Sequence, residues 1–204
     1  MEYWNTEITE KSWELLQKIK GDIDFVLIGG WAAYLWAKSH KSKDIDIVIN
    51  FNELNKLKSK YNLTKNDNLR KYQVKIDDID IDIYVPFYSK LPLITNLKNN
   101  ISQIEGFNVV RPEVLIVLKQ AAEIDRSSSE KGLKDRIDLM DLLLNCDIDF
   151  KYYNDLIKKD EPKKFKTHLI GLITKFRETK YLNLTPRELK IEKEKLLKKL
   201  RNSK

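Results

Sequence analysis

Apolar and polar residues alternate along two stretches of this chain, Asp44-Ile45-Asp46-Ile47, which runs on into Val48-Ile49, and Ile79-Asp80-Ile81-Asp82-Ile83-Tyr84-Val85. Successive strand side chains point to opposite faces, so both stretches read as strands with an apolar core face. Ile45, Ile47 and Ile49 share that face in the first, and Ile79, Ile81, Ile83 and Val85 share it in the second. The aspartates, with Tyr84, take the other face. Asp24 to Ile28 carries a continuous apolar run instead, which predicts a central strand buried on both sides. Tyr72 to Ile76 and Phe107 to Val110 predict two more strands, with Asp77-Asp78 as the turn into the second alternating stretch.

Elsewhere the spacing is helical. Trp13, Leu16 and Ile19 line one face of a helix predicted over Ile8 to Lys20, which Gly21 stops. Trp31 to Lys38 predicts a short helix on the propensities of Ala32, Ala33 and Leu35, with Gly29-Gly30 as the turn before it. Asn52 is read as the cap of a helix running to Lys60, and the polar stretch from Thr64 to Lys71 as a connection. After a loop-rich region, Pro112 suits the first position of a helix that continues to Asp125. Ser127-Ser128-Ser129 breaks it, and Leu133, Ile137, Met140 and Leu144 mark the next one. One or two helices divided at Pro162 are expected between Tyr152 and Lys180. Thr185-Pro186-Arg187-Glu188 is a capping box opening a terminal helix with Leu189, Leu196, Leu197 and Leu200 on one face. The expected fold class is α/β (α+β): a small mixed sheet with flanking helices over residues 1–108, then a helical subdomain over residues 109–204.

The single cysteine, Cys146, excludes an internal disulfide and a cysteine-cluster zinc site, and only His40 and His168 are available as imidazole ligands. No apolar run is long enough to span a membrane, and Met1 to Thr9 lacks the basic-then-apolar order of a signal peptide. A cytoplasmic protein with no membrane partner is expected. The net charge of +7 favours polyanionic partners such as nucleotides and RNA, although surface lysines also serve solvation alone. Lys190, Lys193, Lys198, Lys199 and Arg201 make the terminal helix a candidate phosphate-contacting face.

Asp44 and Asp46 carry the sharpest chemical signal. Two residues of strand set their stems roughly 6–7 Å apart on one face. Carboxylates so spaced suit a hard cation such as Mg2+, whose oxygen ligands lie at about 2.0–2.1 Å. Asp80 or Asp82 supplies a third carboxylate on the second alternating strand. Gly29 and Gly30 let backbone N–H groups approach a phosphate that a side chain would obstruct. Phosphoryl and nucleotidyl transfer need such charge neutralisation and positioning more than covalent chemistry. Trp31, Tyr34 and Trp36 read as packing residues, and Cys146 as a small buried hydrophobe.

Ile28-Gly29-Gly30, a gap of 13 residues, and Asp44-Ile45-Asp46-Ile47 resemble the signature of the DNA polymerase β-like nucleotidyltransferase superfamily. Small members place a basic residue and a threonine four and two positions before the first aspartate, where this chain has His40 and Ser42. Asp82, followed by Ile83-Tyr84-Val85-Pro86, matches the family's third carboxylate best, with Asp80 as its rival. Pro112 to Lys119 and Lys134-Asp135-Arg136-Ile137-Asp138-Leu139 resemble the later helices of small prokaryotic members, including toxin-like enzymes of abortive-infection systems. The resemblance covers residues 21–145. It implies transfer of a nucleoside monophosphate from an NTP to a hydroxyl, with Asp44, Asp46 and Asp82 as catalytic residues and ligands to Mg2+ or Mn2+. It implies nucleotide contacts from Gly29, Gly30, Ser42, Lys119 and Lys134, with Asp135 and Asp138 as braces. The acceptor classes it implies are RNA (a tRNA end above all), a cognate partner protein in a toxin–antitoxin-like setting, and a small molecule. A catalytically idle nucleotide- or RNA-binding module is the alternative.

Overall fold

The structure, a computed structural model, describes residues 6–93, 97, 99–158 and 162–203. Part of the Met1 to Thr9 stretch lies outside the described residues. The chain divides after Arg111 into two compact units.

The first unit is built on a mixed sheet of seven strands. In chain order these are β1 (Val26–Ile28), β2 (Ile45–Val48), β3 (Thr64–Asn66), β4 (Lys71–Ile76), β5 (Ile79–Tyr84), β6 (Ile101–Ile104) and β7 (Phe107–Val110). Their spatial order is β3-β4-β5-β2-β1-β7-β6. The β2–β5 and β1–β7 pairs are parallel and the others antiparallel. The isoleucines of both alternating strands are buried as the pattern requires, with Ile45, Ile47 and Ile83 at 0% exposure. Helices α1 (Thr6–Asp22), α2 (Gly29–Ala37) and α3 (Phe51–Lys60) complete the unit. Leu16 and Ile19 bury the inner face of α1, and its Ser12 hydroxyl accepts a hydrogen bond from Trp31 Nε1 at 2.9 Å. Trp31 is wholly buried and packs on Trp13 at 5.0 Å between ring centroids, while Trp36 Nε1 donates to Val110 O at 2.8 Å. These aromatic residues of α2 are packing groups.

Three local details differ from expectation. Asn50, rather than Asn52, caps α3, its side chain accepting from Glu53 N at 3.0 Å. β3 lies within the stretch expected to be a connection, and β6 within the loop-rich region. Both are edge strands, and an edge strand needs no buried apolar face to announce it. The glycine pair forms the first turn of α2 instead of preceding the helix.

The second unit holds α4 (Pro112–Arg126), α5 (Glu130–Asn145), α6 (Phe150–Ile157), α7 (Pro162–Lys175), a 3-10 turn at Thr179–Tyr181, and α8 (Pro186–Asn202). Pro112 opens α4, Ser129 caps α5, and Thr185 with Glu188 forms the anticipated capping box of α8. Gln120 of α4 ties the unit together: its Nε2 donates to Phe165 O at 3.0 Å and its Oε1 accepts from the Tyr153 hydroxyl at 2.7 Å. Lys193 of α8 donates to Thr174 O and Phe176 O at the end of α7, a cation at a helix C-terminus. Lys190, Lys198, Lys199 and Arg201 are exposed. No helix among the described residues is long and apolar enough to cross a membrane.

Candidate active site

The parallel register of β2 on β5 makes Asp46 and Asp82 direct partners. Adjacent strands run about 4.8 Å apart, and residues in register point to the same side, so the two carboxylates are immediate neighbours on the non-core face. The same rung continues through Ile28 on β1, Gln73 on β4 and Thr64 on β3. Asp44 stands immediately before β2 and is half-buried, like Asp46 and Asp82. Asp80 lies opposite Lys75 and is exposed. Of the two rival carboxylates on β5, Asp82 is therefore the one that adjoins Asp46.

Gly29 backs Asp46 from the first residue of α2, just past the end of the neighbouring strand β1. Its φ of +69° is a left-handed conformation that suits glycine, and a Cβ there would meet Asp46 Oδ2 at 2.0 Å and Asp46 Cβ at 2.7 Å. The bare Cα gives the carboxylate its room at the start of α2. Ile28, the cap of that helix, has no capping side chain. Gly30 is buried, and Ser42 is buried just before β2.

Asp82 is gripped from β4. Lys71 Nζ donates to Oδ2 at 2.5 Å and Gln73 Nε2 to Oδ1 at 2.8 Å, while Gln73 Oε1 accepts from Asn66 Nδ2 at 3.1 Å. The Lys71 side chain is 9% exposed and its ammonium lies 5.9 Å from the centre of the Tyr84 ring. Sequence reasoning passed over Lys71, Gln73 and Asn66. The two-residue turn at Asp77-Asp78, both with positive φ, is the signal that finds one of them: counting back from it pairs Gln73 with Asp82.

Among the described residues, no group of three or more His, Cys, Asp and Glu side chains gathers as a metal cage. Asp44 and Asp46, hard oxygen donors one residue apart with a glycine cradle behind the second, fit a small divalent cation as a pair.

Within the helical unit, Lys119 is buried. Its Nζ lies 2.5 Å from Asp138 Oδ2 and 3.4 Å from Asp135 Oδ1, and Arg126 Nε donates to the other Asp135 oxygen at 2.7 Å. Lys134 is half-buried on α5. One turn beyond Asp138, burial and the Asp138 charge push the Asp141 carboxyl up to about 7, against the opposing hydrogen bond from Asn145.

No family model and no curated protein matches this sequence. Solved structures do. A nucleotidyltransferase-like antigenic protein from Paracoccidioides brasiliensis superposes with a TM-score of 0.52 at 16% identity, over 92% of this chain and 94% of that one. JHP933 from Helicobacter pylori does so with a TM-score of 0.51 at 19% identity, over 96% of this chain and 94% of that one. The chain has a nucleotidyltransferase-like fold.

Proposed function

We propose that this chain is a nucleotidyltransferase that moves a nucleoside monophosphate from an NTP to a hydroxyl acceptor, in a metal-dependent reaction. The observation that carries the reading is the register of Asp46 on Asp82 between β2 and β5, with Gly29 shaped around Asp46. Asp44 and Asp46 would hold Mg2+ or Mn2+ together with the triphosphate, and the bound ion would neutralise phosphate charge as it develops. The first turn of α2, at Gly29 and Gly30, offers backbone N–H groups and the positive end of a helix to the phosphates, with the Ser42 hydroxyl beside β2. Asp82 has about four lone-pair sites as a carboxylate, of which Lys71 and Gln73 take two. It retains capacity to accept the proton of the acceptor hydroxyl. The acceptor oxygen forms its bond to the α-phosphorus, the bond from that phosphorus to the bridging oxygen breaks, and pyrophosphate leaves. Within the helical unit, Lys119 holds Asp135 and Asp138 in place.

RNA is the acceptor class that the charge of +7 and the exposed Lys190, Lys198, Lys199 and Arg201 favour, and a tRNA end is the form of it that the family resemblance implies. Incubation with each α-labelled NTP, Mg2+ or Mn2+, total RNA and cell extract tests both steps. Label in a nuclease-sensitive product, lost in Asp46→Asn, is the expected result. Protease-sensitive label would move the acceptor to a partner protein, and label in small molecules to a metabolite. Undiminished transfer by Asp46→Asn would sink the assignment. No transfer, beside NTP binding that survives loss of Asp44, Asp46 and Asp82, would make the chain an idle binding module.

A further inference from the structure

A cation is already built into this site. Lys71 reaches Asp82 from β4, its side chain almost fully covered, and Gln73 fixes the other carboxylate oxygen through a chain that begins at Asn66. Gln73 is the direct cross-strand partner of Asp82, so the grip follows from the sheet register and not from a chance rotamer. We propose that Lys71 and Gln73 are positioning residues that hold Asp82 outside the divalent-ion site, leaving Asp44 and Asp46 as the protein's ligands to the ion. This rests on the nucleotidyltransferase reading and specifies its metal requirement: one protein-held divalent ion, with the Lys71 ammonium as the fixed positive charge at the acceptor side.

The physical argument is one of competition for a single carboxylate. A divalent ion that also bound Asp82 would share the carboxylate with the Lys71 ammonium, which already donates to its Oδ2 at 2.5 Å, and the two cations would repel across that one group. Moving Lys71 aside would remove its buried stem from its packing and break the contact with the Tyr84 ring. Its placement makes Asp82 available to a hydroxyl, whose hydrogen bond a fixed ammonium does not displace.

The test measures Mn2+ affinity of the full chain by the electron paramagnetic resonance of free Mn2+, without nucleotide, and needs no turnover. In the wild-type background Asp46→Asn is expected to weaken Mn2+ binding by at least about tenfold and Asp82→Asn by less than about twofold. In a Lys71→Met background, Asp82→Asn is expected to weaken it by about fivefold or more, because the freed carboxylate joins the ion, and Lys71→Arg is expected to restore the wild-type pattern. A tenfold loss from Asp82→Asn with Lys71 intact would overturn the proposal, and that arm holds even if Lys71→Met fails to fold. So would a Lys71→Met background in which Asp82 stays irrelevant. Indifference of Mn2+ binding to Asp46→Asn overturns the proposal together with the metal-dependent reading, which distinguishes the two failures.

Discussion

Gly29 and Asp46 are shaped to each other: a methyl group on the glycine would stand 2.0 Å from Oδ2 of the aspartate. Gly29→Ala must both strain a backbone at φ +69° and turn the Asp46 side chain away, since even Asp46 Cβ lies within 2.7 Å of the added atom. A loss of about 2–4 kcal/mol in urea unfolding is expected, with label transfer falling to the level of Asp46→Asn. Wild-type transfer by Gly29→Ala would refute the cradle.

Asp80 and Asp82 separate cleanly by their neighbours. Asp80 is exposed opposite Lys75, whereas Asp82 adjoins Asp46 and is held by Lys71. Asp82→Asn is expected to lower kcat by about 100-fold or more, and Asp80→Asn by less than about twofold, in NTP-transfer kinetics. The reverse pattern would move the acceptor-side role to Asp80.

Lys119 lies between Asp135 and Asp138 in the interior of the helical unit. Lys119→Met leaves their charges facing each other with Arg126 as the remaining cation that the geometry places on Asp135. Breaking a buried pair from one side costs about 3–5 kcal/mol, so a large drop in the urea midpoint is expected before any change in nucleotide affinity. A variant of wild-type stability with weakened NTP binding would instead assign Lys119 to the nucleotide.

Asp141 carries a pH dependence of stability. Its carboxyl is raised from an ordinary 3.8 to about 7 in the folded chain, so folding favours the protonated form. The stability this group adds is present below pH 3.8 and is lost as the pH rises to about 7. Asp141→Asn removes that loss and is expected to be more stable than wild type by about 2 kcal/mol at pH 8, with a smaller difference at pH 5. Parallel urea titrations at the two pH values check it, and an equal difference at both would contradict it.

Cys146 should be inert while the chain is folded. Burial first, then the charges of Asp141 and Glu113, pushes its thiol up to about 12. Iodoacetamide at pH 8 is expected to alkylate it at least about 100-fold more slowly in the native protein than in urea, because the thiolate is the nucleophile. Equal rates, followed by mass spectrometry, would contradict the placement.

Much of this architecture is written locally. Alternation over Ile45–Val48 and Ile79–Tyr84 sets both strand and face, and the Thr185–Glu188 box sets the start of α8. The nearness of Asp46 to Asp82 is not local, because parallel strands are joined through a long connection and their register depends on the packing of the whole sheet. The grip on Asp82 hides for a related reason: Lys71 and Asn66 are ordinary polar residues in sequence, and only the β3–β4–β5 ladder brings them into its reach. Asp135, Asp138 and Asp141 mislead in the other direction. On the helical wheel they belong to the polar side of α5, yet all are buried: α4 meets Asp135 and Asp138 with Lys119 and Arg126, and Asp141 accepts from Asn145 of its own helix.

The turn at Asp77-Asp78 gives the site a parity. Side chains alternate with a period of two, so where the two-residue turn is kept, one residue inserted into β4 beside it would carry Tyr72 and Val74 round to the face of Asp82 and send Lys71 and Gln73 to the opposite surface. Two inserted residues would restore the facing, displaced by one rung. Length changes that most surface turns absorb without effect are here sorted into odd and even, and a frame-preserving insertion of one codon beside this turn should be as damaging as a substitution at Asp82 itself.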